Sequence, residues 1–241
     1  MPKASKLENA ARTLVRSLAP LAFSPPVTHV YNPLEYAWRP HAEYLSRFGQ
    51  TPKKILMLGM NPGPFGMAQT GIPFGEVTAV RSWMGIEAPV KKPEIEQPKR
   101  PVEGFACTRS EVSGRRLWRL FSERYPDPKS FFADHFITNY CPLVFMEETG
   151  RNRTPDKIPA GEMEPVYAAC DTHLRAVVDH LDPERLVGVG GFAEKRLRSL
   201  FAGSGRQITT VLHPSPASPA ANRGWAEAAT RQLIESGVWS A

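Results

Sequence analysis

The residues of this chain best suited to chemistry are two carboxamides and an imidazole, each at the far end of a short apolar run. Ile55-Leu56-Met57-Leu58 closes on Gly59 and opens into Met60-Asn61-Pro62-Gly63. The run 135–141 holds Asn139 beside Tyr140-Cys141-Pro142, and residues 208–212 lead into His213-Pro214-Ser215-Pro216. A carboxamide donates and accepts hydrogen bonds but takes up no proton near neutral pH, whereas an imidazole titrates close to it. Such a set suits hydrogen-bond recognition and stabilisation of developing charge better than strong base catalysis. Singly, each residue also has a structural use: Asn61 as a turn cap before proline, Asn139 as a loop tie, His213 as a satisfied core histidine. Their joint occurrence at three strand ends, beside loops stiffened by proline and opened by glycine, points to one pocket.

In an open parallel sheet, ligands bind outside the carboxyl ends of the strands, where these three residues fall. The apolar runs predict strands at 55–59, 135–141, 185–189 and 208–212, and helical spacing marks 7–18, 33–47, 114–124, 162–181, 192–201 and 222–236. Alternation of strand and helix implies a parallel sheet covered on both faces. A Pro-rich, charged stretch at 88–101, with Lys91, Lys92, Lys99 and Arg100, is expected as a surface excursion. Arg115, Arg116 and Arg119 give the helix at 114–124 a basic outer face.

Composition sets the outer limits. With 241 residues, 41% of them hydrophobic and 10% aromatic, the chain can bury one large core, and its 24 prolines are loop punctuation rather than a mark of disorder. The formal charge of +6 admits a polyanionic partner without requiring one. Cys107, Cys141 and Cys170 are widely spaced and in no CxxC pair, against a disulfide framework, a zinc site or a four-thiolate cluster. No stretch has the apolar length of a membrane span, and residues 1–18 lack the short apolar block and cleavage site of a signal peptide. The expectation is a soluble intracellular protein, cytoplasmic in a bacterium or nuclear in a eukaryote.

GMNPGPFGMAQTGIPFGE at 59–76 closely resembles the first motif of the single-strand-selective monofunctional uracil-DNA glycosylases, and HPSPASPAANRGW at 213–225 resembles their second. SEVSGRRLW at 110–118, NYCPL at 139–143 and GRNRTP at 150–155 add matches between the two, so the resemblance runs from about residue 30 to the end. It implies an α/β fold, a three-layer αβα sandwich with a short, mainly parallel four-stranded central sheet. A single domain is expected over 1–241, with 1–30 as an N-terminal helical extension packed on it.

The resemblance also implies roles. Asn61 looks like the residue that positions the attacking water, and His213 like the one that stabilises the departing base. Phe74 resembles the aromatic that stacks on uracil, Asn139 the amide that reads its polar edge, and Met60 and Gly63 the lining that faces C5. The loop Pro214, Ser215, Pro216, Ala217 and Ser218, with Arg223 nearby, is expected to meet DNA. Related proteins often carry arginine where this chain has Ala217, which leaves insertion of a long cation into the base stack open. Gln69 is a further candidate for contact with water.

These residue types suit cleavage of an N-glycosidic bond, where negative charge develops on the departing pyrimidine and a donor near its O2 stabilises it. A fixed amide can accept from uracil N3–H and donate to O4, but it mismatches cytosine. No lysine lies in either motif to serve as the amine nucleophile of a strand-cleaving enzyme. The expected activity is removal of uracil, and of 5-hydroxymethyluracil, from single- and double-stranded DNA by a monomer with no metal, organic cofactor or membrane partner. Two other readings are a glycosylase acting mainly on deaminated purines such as xanthine, and a damaged-base-binding module with little catalysis.

Overall fold

The structure, a computed structural model, describes residues 5–240; residues 1–4 and 241, at the two ends of the expected domain, lie outside the described residues. Among the described residues the strands are β1 (Val27–Tyr31), β2 (Ile55–Gly59), β3 (His135–Asn139), β4 (Val144–Glu147), β5 (Asn152–Arg153), β6 (Arg185–Val189) and β7 (Gln207–Val211). The α-helices are α1 (Lys6–Leu18), α2 (Pro33–Tyr36), α3 (Trp38–Phe48), α4 (Met67–Thr70), α5 (Val112–Arg124), α6 (Pro128–Asp134), α7 (Ala160–Leu181), α8 (Gly191–Phe201), α9 (Pro219–Asn222) and α10 (Trp225–Glu235).

The central sheet has the order β3-β2-β6-β7, and all of its pairs are parallel. β2 is apolar and buried at every position, as a strand covered on both faces must be. The chain leaves β2 for β3 on one side and returns to β6 on the other, so the strand order reverses at β2. The β2–β3 connection carries α5 and α6, the β3–β6 connection α7 and the β6–β7 connection α8; with the right-handed sense that parallel crossovers take, the first pair covers one face and α7 and α8 the other, the expected three layers. Gly59 pairs with Asn139, and Val189 with Val211, so the carboxyl ends finish level and their loops crowd together.

β3 ends at Asn139 rather than at 141. The amides of Tyr140 and Cys141 turn away to the carbonyls of Gly59 and Met60, both at 2.9 Å, and sew the Asn139 loop to the Asn61 loop. β7 starts one residue earlier than the apolar run suggested. The helix expected over 33–47 is broken at Ala37, because Pro40 has no N–H to offer and its ring excludes the Tyr36 carbonyl. That carbonyl accepts instead from Lys91 N–H at 2.8 Å. The last expected helix, 222–236, begins only at Trp225 as α10; the short α9 precedes it, and Gly224 at φ +130° separates the two.

A second, antiparallel sheet of order β1-β4-β5 was not foreseen. Residues 27–30, inside the expected helical extension, belong to its first strand. Among the described residues of that extension the only helix is α1, whose Ser5–Glu8 capping box and buried stripe Leu7, Ala11, Leu14 and Leu18 set it against α7. The charged stretch 88–101 is tied to this second sheet: buried Gln97 donates from Nε2 to the carbonyls of Glu147 and Glu148, and Arg100 donates to Gly150. The three cysteines are buried free thiols. Among the described residues no helix is long and apolar enough to cross a membrane.

Candidate active site

A cleft of about 490 Å³ opens at the carboxyl end of the central sheet. Met60, Asn61 and Gly63 line it from the loop after β2, and His213, Ser215, Ala217 and Ser218 from the loop after β7. Two larger cavities, of about 590 and 650 Å³, lie beside α1 and β1 and contain none of these groups. Of the other expected DNA-contacting residues, Pro214 is buried, while Pro216 and Arg223 are exposed outside the cleft.

Phe74 and Asn139 do not line the open cleft; they are buried, 6% and 7% exposed, and Asn139 borders a separate small cavity with Met67, Pro73 and Pro142. They meet over Gly59, where a Cβ would collide with the Asn139 Oδ1 and lie 2.6 Å from the Phe74 ring. Phe74 has φ +53°, a left-handed conformation that costs a non-glycine residue on the order of 1 kcal/mol or more and needs strong surrounding constraint. Its ring centre is 6.2 Å from that of His213, which brings the aromatic between the imidazole and the amide. Asn139 Nδ2 donates only to the Met67 sulfur, at 3.3 Å, and its buried Oδ1 has no partner. A buried carbonyl oxygen left in this state is ready to accept from a bound donor.

His213 is set by its own loop. The Ser215 amide donates to Nδ1 at 3.1 Å, so Nδ1 carries no proton and the neutral ring must carry it on Nε2. Burial lowers the imidazole pKa and favours that neutral form. The loop is braced on several sides. Arg116 donates to the Pro214 carbonyl at 3.1 Å and to Asn222 Oδ1 at 2.9 Å, and Asn222 Nδ2 donates to the Pro216 carbonyl at 2.8 Å. Part of the expected basic face of α5 therefore fixes this loop. Ala217 sits exposed on the rim, its N–H accepted by Ser215 Oγ at 3.1 Å.

Asn61 donates from Nδ2 to the Leu143 carbonyl at 3.1 Å. With that bond anchoring the amide beside the cleft, Oδ1 is its acceptor, which can orient a water but not deprotonate it. Gln69 does not join it. Its Nε2 donates to the carbonyls of Pro64 and Pro101 and its Oε1 accepts from the amides of Glu103 and Gly104, so every polar valence is used in tying loops together.

The cleft also holds Glu111, Ser113, Asn152 and Thr154, which were not singled out from the sequence. Their signal was present in the SEVSGRRLW and GRNRTP segments, where no single residue type announced a task. Glu111 is the most unusual of them: burial, reinforced by the like charge of Glu76, raises its carboxyl to about 7.

Comparison with known proteins bears on the family and the fold. The profile of the Uracil DNA glycosylase superfamily matches residues 46–234. The chain is 46% identical to a single-strand selective monofunctional uracil-DNA glycosylase of Rattus norvegicus, over 98% of this chain and 90% of that one. It is 49% identical to the Mus musculus protein of the same name, over 92% of this chain and 80% of the relative. Its fold is similar to the crystal structure of wild-type SMUG2 from Pedobacter heparinus, with a TM-score of 0.67 and 17% identity over 95% of this chain and 97% of that one.

Proposed function

The chain belongs to the single-strand selective monofunctional uracil-DNA glycosylases of the uracil DNA glycosylase superfamily, and on that premise we infer that it excises uracil from DNA by hydrolysing the N-glycosidic bond, with Asn61 and His213 as its catalytic pair. The observation that carries the division of labour is the Ser215 amide donating to His213 Nδ1, which leaves Nε2–H as the donor the ring can offer to the cleft it lines. A neutral donor preorganised beside the departing base stabilises the anion that forms as C1′–N1 breaks, and loss of one such donor costs about 2.7–4 kcal/mol. Asn61 Oδ1 holds the water on the sugar side.

Uracil reaches the cleft only by leaving the stack. Asn139 Oδ1, buried without a partner, accepts from N3–H, the amide NH2 turns from the Met67 sulfur to O4, and the Phe74 ring supports the base. Cytosine presents an acceptor at N3 and fails that match. We assign Met60 and Gly63 to the C5 side of the base and 5-hydroxymethyluracil as a second substrate; Gly63 itself adds no side chain there, and the Glu111 carboxyl packs beside it. The braced rim at Ser215, Ala217 and Ser218, with exposed Arg223 beyond it, is the surface we assign to DNA, single- or double-stranded, with the protein acting as a monomer.

The test is incubation with oligonucleotides carrying one uracil, single- and double-stranded, assayed for strand breaks before and after alkali. Free uracil and a break only after alkali are expected. Absence of an alkali-labile site on both substrates refutes the reading, and a break without alkali refutes its monofunctional part.

A further inference from the structure

Among the side chains lining the cleft, only His213 and Glu111 are ionisable acids or bases near neutral pH. Glu111 stands directly before α5 yet gives the helix no side-chain cap, and it enters no ion pair among the described residues. Its carboxyl is pressed against the Asn61 loop. A Cβ on Gly63 would come within 3.1 Å of Oε1, and a Cβ on Gly66 would overlap Oε2. Oε2 is fully buried and has no hydrogen-bond partner. A carboxyl kept for structure would be paired or capped; this one is held in a space left by two glycines, opening on the cleft.

We propose that Glu111 is a catalytic residue of excision, whose carboxylate accepts the proton of the water that Asn61 holds against C1′. The proposal rests on the uracil-excision reading and supplies what that reading lacks, since neither carboxamide takes up a proton. As C1′–N1 breaks, its electron pair leaves on the uracil, whose anion is met by the His213 Nε2–H. The water oxygen bonds to C1′, its proton passes to Glu111, and Glu111 returns it to solvent. The released uracil anion is protonated by solvent.

The groups facing Glu111 are few. Glu76 repels its charge from the neighbouring segment, itself held by the Ala79 amide at 3.0 Å, and residues 60–66 bring no ionisable side chain. His213 faces it across the cleft, neutral. Nearby, Arg109 lies 4.2 Å from the centre of the Phe65 ring, Arg115 donates to Ser110, and Arg116 donates to the Pro214 loop. With the carboxyl raised to about 7, the ionised form gains ground as pH rises through that value. His213 is already neutral there, its own acid limb lying below the ordinary histidine value.

The test is single-turnover release of uracil from single-stranded DNA between about pH 5 and about pH 9 by wild type, Glu111→Gln and Glu111→Asp, with thermal melts and abasic-DNA binding on each. Wild type is expected to speed up through about pH 7. Glu111→Gln is expected to be about 10²-fold slower on the alkaline side and to lose that inflection, with unchanged abasic-DNA affinity and no loss of melting temperature. Glu111→Asp, which keeps a carboxylate, should keep the inflection at a reduced rate. A Glu111→Gln enzyme that matches wild type, retains the inflection, or loses rate equally at every pH overturns the proposal. So does a Glu111→Asp enzyme without the inflection, which decides the matter should the glutamine variant fail to fold. If wild type releases no uracil at any pH, the excision reading itself fails.

Discussion

The Ser215 amide and His213 Nδ1 lie 3.1 Å apart, and this contact decides which proton the imidazole proposed for catalysis can offer. Since an N–H can only donate, Nδ1 must be unprotonated and Nε2 must bear the hydrogen. Nitrogen NMR of the histidine-labelled protein at neutral pH should show His213 as the neutral Nε2–H tautomer. An imidazolium, or a proton on Nδ1, would contradict the leaving-group role as argued.

Base reading is placed on Asn139, whose Oδ1 is buried and unpartnered. Asn139→Ala should reduce uracil excision by about 1.5–3 kcal/mol in activation free energy, on the order of 10–100-fold, because it removes hydrogen bonds made only to the flipped base. Nonspecific DNA affinity, measured on an undamaged oligonucleotide, should barely change. Equal loss of both would reject the role.

Gly59 joins the two residues proposed to recognise the base, since Asn139 and Phe74 both occupy the space its side chain would take. Gly59→Ala should destabilise the fold by about 1–3 kcal/mol in a denaturant melt, as overpacked sites do. It should also slow excision well beyond what the lost folded fraction explains, by displacing both recognition groups. An alanine variant with wild-type excision would show that excision tolerates their displacement.

Three further histidines set the acid limit of the fold. His41, His135 and His173 are each lowered to about 4 by burial. His135 shows why: Nδ1 meets the Phe131 carbonyl at 3.0 Å, while Nε2 accepts from the Trp239 indole at 3.0 Å and has no room for a proton. The unfolded chain takes up these protons near about pH 6.5, before the folded one does, so stability is full above that pH and falls as pH drops towards 4. Each contributes up to about 3 kcal/mol. Glu111, raised to about 7, acts in the opposite direction and offsets one of the three. Chemical melts from about pH 7 down to about pH 4 should show a net fall in unfolding free energy; a flat or rising profile would contradict the buried neutral rings.

Much of the fold was legible because β2 and β6 are apolar runs and β3 and β7 carry β-branched or aromatic residues, each stopping at a polar loop, and a parallel sheet places such loops at its binding edge. The second sheet was not legible: β5 spans two residues, β4 four, and β1 carries a register shift between Val27 and His29, so none shows a clear period. Pro40 was visible in the sequence, but the break it causes became plain only with the Tyr36 carbonyl redirected to Lys91. Gln69 misled because a buried amide serving four backbone groups has the same sequence signature as one facing a water. Glu111 was missed because its significance lies in what it lacks, a partner, and sequence does not show partners.

The most direct measurement compares wild type and His213→Ala in single-turnover release of uracil from a single-stranded oligonucleotide at neutral pH. Wild type should release one uracil per uracil-containing strand and leave an alkali-labile site. The variant should be slower by about 10²–10³-fold while binding abasic DNA as before, the loss expected when a preorganised donor is removed from the departing base. Uracil release by His213→Ala at the wild-type rate would contradict the account at its centre.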